Sequence, residues 1–159
     1  MKHNFLFIKI GLMAFIAVFL ILICTSGNYA DKPMEEITAV LSQAEGIEAL
    51  KEGDANDLRR YYNLEEGELE GFMLYLPTSP MDADELLVVK MKDEQQASAV
   101  EQAILQRQAS QKASFEGYGA QQTALLNGYV LEIKGRYAFY AVSPYSQAWQ
   151  SLFSEIIRA

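Results

Sequence analysis

The chain has 159 residues and a formal net charge of −8, and half of its composition is apolar. Its first 30 residues hold Lys2 and Lys9 and no acid, so the rest sets 11 basic residues against 21 acidic ones, a net charge of −10 that argues against nucleic acid and anionic membrane faces as partners. The only histidine, His3, and the only cysteine, Cys24, both lie in that first stretch, so the remainder cannot form an internal disulfide, a His/Cys zinc site or an imidazole- or thiolate-based catalytic set.

In chain order, the first element is apolar. No residue from Ile10 to Cys24 is charged. With Lys9 snorkelling back to the headgroups, the span counts from Phe5 to Cys24, about 20 residues, which crosses a hydrocarbon core of about 30 Å. Ile21, Leu22 and Ile23 stand before Cys24, where lipoprotein processing takes small residues, while Thr25 with Gly27, or Cys24 with Ser26, would suit an ordinary signal peptidase. The expectation is a retained membrane helix over residues 5–24, with signal-peptide cleavage or lipidation at Cys24 as alternatives. Lys2 and Lys9 lie within or before the span and Asp31, Glu35 and Glu36 follow it, so the N-terminus is expected inside and the domain outside. This divides the chain into an anchor or signal (1–24), a short linker (25–32) and an extracytoplasmic domain (33–159).

"DKPMEEITAVLSQA" reads as a helix with Asp31 as cap, Pro33 in the first turn and Ile37, Val40, Leu41 and Ala44 on one face. "GDANDLRRYYNL" is a second helix capped by Asp54, with Leu58, Tyr61 and Tyr62 inward. In "EGFMLYLPTSP", Phe72, Leu74 and Leu76 alternate with Met73 and Tyr75, which predicts a strand ended by Pro77. "DELLVVKMK" is a strand apolar on both faces and therefore central. Asp93 and Gln96 stand in capping-box positions before a helix over 93–115, whose Val100 and Ile104 should pack on Leu87 and Val89. The segment 125–142 predicts a hairpin turning at Lys134-Gly135. Ser143 and Pro144 open a last helix with Trp149, Leu152, Phe153, Ile156 and Ile157 as its apolar stripe. The order is ααββαββα, and the fold class α+β: a four-stranded antiparallel sheet with helices packed on one face, following an N-terminal membrane helix.

"RRYYNL", "FMLYLPTSPMDADELLVVKMKD", "AILQRQASQKASFEGYG" and "GRYAFYAVS" together resemble a bacterial family known as domain of unknown function 4358. The resemblance runs from about Ile37 to Phe153. Its most specific pieces are "DADELLVVK", where an acidic pair enters a buried strand, and the helix carrying Arg107, Gln111 and Phe115 on to Tyr118. Members are mostly from Gram-positive bacteria and are similar in having an N-terminal lipoprotein signal or membrane segment. The resemblance implies fold and location, and it transfers no catalytic residue.

Glycine-rich phosphate loops of the dinucleotide or P-loop type are missing. Asp82, Asp84 and Glu85 in "MDADE" could ligate calcium through oxygen, or serve as turn and strand-edge charges. No other cofactor is expected. Aromatics crowd the C-terminal third, and Tyr118 and Tyr140 are candidate contacts for a sugar or peptide if their side of the sheet is open. Arg107 and Gln111 lie one helical turn apart, where Arg107 can pair with an acid of the domain or anchor an anionic ligand. The expected function is a non-enzymatic module of the bacterial cell envelope that binds a protein, peptide or glycan. The alternative is an envelope hydrolase working with carboxylates and tyrosines.

Overall fold

A computed structural model of the chain describes residues 29–158. The expected membrane span, Cys24 and residues 25–28 of the expected linker lie outside the described residues. Among the described residues no helix is long and apolar enough to cross a membrane.

The described residues form an α+β unit of five helices and a five-stranded antiparallel sheet. The helices are α1 (Met34–Leu41), α2 (Ala55–Tyr62), α3 (Ala97–Phe115), α4 (Ala120–Asn127) and α5 (Ser146–Ile156). The strands are β1 (Leu50–Glu52), β2 (Leu69–Pro77), β3 (Glu85–Met91), β4 (Val130–Lys134) and β5 (Tyr137–Val142), in the sheet order β1-β2-β3-β5-β4.

All seven residues of β3 are buried, and the strand is central, as its apolar run predicts. Its side chains alternate between two cores. Leu87, Val89 and Met91 join Leu58 and Tyr62 of α2 and Val100 and Ile104 of α3. Leu86 and Val88 join Ile37 and Leu41 of α1 and Trp149 and Phe153 of α5. The expected packing of Val100 and Ile104 on Leu87 and Val89 is therefore present. Helices cover both faces of the sheet, however, not one. The reason is that β3 and β5 are apolar on both sides, so a single helical layer would leave Leu86, Val88 and Phe139 in water.

Two further differences concern element order. The sheet has a fifth strand, β1, which pairs with the last three residues of β2. An additional helix, α4, occupies the stretch up to Asn127, so the hairpin begins at Val130; Gly135 (φ 56°) and Arg136 make its turn. The order is thus αβαββααββα. α5 starts at Ser146 after a turn in which the Ser143 hydroxyl accepts from the Tyr145 amide at 3.2 Å. The capping boxes at Asp54/Asp57 and Asp93/Gln96 are both formed, the second opening a 3₁₀ turn before α3.

Asp31 does not cap α1; Pro33 holds that position. Asp31 instead accepts from Lys90 at 2.8 Å and Arg136 at 2.5 Å, and Glu70 bridges the same two cations, at 2.7 Å from Lys90. Lys90 sits on the Leu86–Val88 face of β3 with its side chain 4 % exposed, so its charge needs these carboxylates and the Lys32 carbonyl at 2.8 Å. Lys90's hydrogen bonds hold Asp31 and Glu70 below their ordinary carboxylate range, against the opposing effect of burial. The Ala30 amide donates to the Ile157 carbonyl at 2.7 Å, and the Tyr137 hydroxyl donates to the Lys32 carbonyl at 2.6 Å. From Tyr29 onward the expected linker is docked on the domain.

Candidate functional site

Glu85 opens β3 on the same side as Leu87 and Val89, so strand geometry turns its carboxylate into the core between sheet, α2 and α3. It is fully buried. The side chains around it all donate. The Tyr62 hydroxyl gives to Oε1, Gln111 Nε2 to Oε2 at 2.6 Å, and Arg107 reaches it through Nη2 at 3.0 Å and Nε at 3.3 Å. The carboxylate accepts in every contact, and the Arg107 guanidinium is its cationic partner. Burial opposes the charge on Arg107, but Glu85 outweighs it and holds the guanidinium above its ordinary pKa. Burial first, and then Glu85, pushes the Tyr62 hydroxyl well above the ordinary range, which keeps it a proton donor in this contact. Burial also pushes the Tyr140 hydroxyl above its ordinary range.

Arg107 is held from its other side as well. Its guanidinium carbon lies 4.5 Å from the centre of the Tyr61 ring. Nη1 has no acceptor among the described residues, and the side chain is 15 % exposed toward a pocket of about 380 Å³. Lys51, Asp57, Tyr61, Ser79 and Asp82 line this pocket together with Arg107 and Gln111. The amide orientation of Gln111 is fixed by its bond to Glu85, which leaves Oε1 buried and without a partner among the described residues. The Tyr140 hydroxyl is in the same condition.

Of the residues singled out from sequence, the structure brings Arg107, Gln111 and Glu85 together and places Tyr140 behind them, its ring 6.4 Å from that of Tyr62. Tyr140 is wholly buried, so the open aromatic surface considered for it is not formed. Tyr118 stands apart at 66 % exposure, against Phe115. Asp82, Asp84 and Glu85 diverge: Glu85 faces inward, Asp82 lines the Arg107 pocket, and both aspartates line a neighbouring pocket with Ser143 and Tyr145. No group of three His, Cys, Asp or Glu side chains among the described residues converges to hold a metal ion. Sequence reading assigned Tyr62 to the core and missed its bond to Glu85. The available signal was parity: a glutamate two residues before Leu87 on a buried strand requires an internal partner.

Fold and site together define a small acidic α+β domain in which a buried Glu–Arg pair backs an open pocket. The chain belongs to the family described as a domain of unknown function (DUF4358), whose model matches residues 43–143. That range takes in Tyr62, Glu85, Arg107, Gln111 and the whole pocket lining, and omits α1, α5 and Asp31. No curated protein and no solved structure gives a match.

Proposed function

We propose that this chain is a membrane-anchored, extracytoplasmic binding module of the bacterial cell envelope, and that it takes its ligand in the pocket beside Arg107. The observation that carries this reading is the state of the guanidinium. Glu85 below and the Tyr61 ring beside it fix its orientation, while the side chain, 15 % exposed, lines the pocket. A guanidinium ordered before binding loses little side-chain entropy on meeting a ligand oxygen. The same geometry speaks against acid–base chemistry at Glu85, whose oxygens are already engaged by Tyr62, Gln111 and Arg107. An envelope protein, peptide or glycan suits a pocket with hydroxyl, aromatic and both signs of charged groups in its lining. The apolar span 5–24 supports the anchor, with Cys24 as its alternative lipid attachment point and the N-terminus inside.

The experiment is capture from envelope extract with the full-length chain, bound species identified by mass spectrometry. Thr78→Trp places a bulky ring on an exposed, pocket-lining position away from the Glu85 pair. The expected result is a species retained by the wild type and lost with Thr78→Trp at unchanged Tm. Retention of the same species by both would remove the pocket from the reading. The alternative of an envelope hydrolase has one observation in its favour, the two carboxylates Asp57 and Asp82 in one pocket lining. Turnover of the captured species that disappears in Asp82→Asn would establish it.

A further inference from the structure

A second surface lies on β2, at the other end of that strand from the Arg107 pocket. β1 pairs with β2 at Tyr75, Leu76 and Pro77, the Gly53 amide adds a bond to the Leu74 carbonyl at 2.9 Å, and the chain then leaves the sheet at the Asp54 cap of α2. No described strand pairs with residues 69–73 on that side. This stretch is about 17 Å of open strand edge, and an unpaired edge is a template for another strand.

Proteins usually guard such edges with charge on the strand itself. The opposite edge follows that pattern, since β4 carries Glu132 and Lys134. On β2 the half-buried Gly71 and Phe72 and the buried Met73 carry no charge, and Glu70, at a bulge in the β2–β3 register, is drawn into the pairs with Lys90 and Arg136. Beside this edge runs a groove of about 620 Å³. Met34, Leu69 and Phe72 give it apolar surface, and Glu35 on α1 and Glu66 in the turn before β2 stand in its lining. Neither Glu35 nor Glu66 has an ion-pair partner among the described residues.

We infer that the 69–73 edge of β2 accepts an extended, basic segment of a partner protein as an added strand. Backbone groups of the segment pair with the edge along the line that the chain vacates after Gly53. Its alternate lysines or arginines meet Glu35 and Glu66, and the apolar side chains between them turn to the other face of the sheet, over Phe72. Main-chain pairing supplies the attraction, and the two free carboxylates select sign.

The test uses the full-length chain, ¹⁵N-labelled, in detergent micelles. The probe is a capped hexapeptide alternating lysine and valine, compared with one alternating glutamate and valine and with a lysine peptide carrying proline at its centre. The expected result is saturable shifts of the amides of residues 69–73, slowed exchange of the Phe72 amide, and at least tenfold weaker binding of both control peptides. Glu35→Lys/Glu66→Lys, at two exposed positions, should also weaken the lysine peptide at least tenfold, with the spectrum otherwise intact. The proposal is overturned by the absence of shifts at 69–73 with millimolar lysine peptide, by equal binding of the glutamate or proline peptide, or by binding that the double variant leaves unchanged. Shifts confined to the residues around Arg107 would overturn it too, without touching the pocket reading.

Discussion

Replacing Arg107 with methionine removes the only cation among the described residues that is bonded to Glu85, a fully buried carboxylate. Methionine keeps most of the aliphatic volume, so the change acts on charge and hydrogen bonding more than on packing. Glu85 would retain the Tyr62 hydroxyl and Gln111 as donors. It would lose the three Arg107 contacts at 3.0–3.3 Å and their positive charge. Removing one partner of a buried ion pair costs about 3–5 kcal/mol, because the remaining charge has neither water nor counterion. Arg107 is partly exposed, which admits some water and places the expectation at the lower end, about 3 kcal/mol. Against a total stability of roughly 5–15 kcal/mol, this is a large fraction and corresponds to a fall in Tm of about 10 °C.

Denaturant unfolding followed by tryptophan fluorescence measures it well. Trp149 is the only tryptophan, and it lies in the core on the other face of the sheet, so its signal reports cooperative unfolding and not a local change at Glu85. The partner variant is Glu85→Leu/Arg107→Met, which removes both charges. Its stability should return to within about 1 kcal/mol of the wild type, since an apolar pair of similar volume replaces an ion pair at little net loss. A single variant within about 1 kcal/mol of the wild type, or a double variant as unstable as the single one, would refute a buried, mutually dependent pair.

Other expectations follow from separate parts of the structure. Ile104→Ala, at a fully buried position against Leu87 and Val89, should lose about 2–5 kcal/mol in the same unfolding assay, whereas Leu105→Ala, 38 % exposed, should stay within about 0.5 kcal/mol. Gly135→Ala should release Tyr29, because Gly135 has φ 56° and a Cβ there would collide with the Tyr29 ring; limited proteolysis should then cut near residues 29–32 at much lower protease concentration than in the wild type. Asp31 and Glu70 are held below their ordinary values of 3.8 and 4.5, so their contribution is complete above those values and disappears as pH falls through the lower folded values. Amide exchange at Ala30 and Lys32 should accordingly remain protected from neutral pH down to the ordinary carboxylate range and rise only below it; loosening at pH 6 would contradict the assignment.

Where a local pattern was strong, the sequence was enough to place an element. "LLVV" could be read as a central strand because nothing polar interrupts it, and Asp93 could be read as a cap because its partner Gln96 stands three residues away. β1 escaped notice for the opposite reason: "LKE" is three residues long with two charges, and it is a strand only through its pairing with β2. α4, "AQQTALLN", has no apolar repeat at helical spacing and is fixed by its packing against α3. The site divides in the same way. Arg107 and Gln111 were visible as neighbours on one helix, and their common partner was not, because Glu85 lies 22 residues from Arg107 and sits beside two other acids that made it look like a turn charge. Lys90 was hidden similarly, its Asp31 partner being 59 positions away across the whole first half of the domain.

The two buried charges of β3 also orient the domain. Glu85 stands at the start of the strand and Lys90 near its end, about 17 Å apart along an extended chain. The Arg107 pocket gathers around the first, and the docked residues 29–32 gather around the second. With residues 5–24 as the membrane helix proposed above, only Thr25–Asn28 separate that helix from docked chain, and four residues reach at most about 14 Å. The Asp31–Lys90–Glu70–Arg136 cluster would then hold the near pole of the domain close to the membrane surface. That pole also carries the Tyr29–Glu94 contact and the hairpin turn at Gly135. The Arg107 pocket lies toward the opposite pole, where Glu85 holds the guanidinium. A rigid mount at one end and a preordered cation at the other are consistent with a domain that waits for a partner, and neither requires the ligand to remodel the fold.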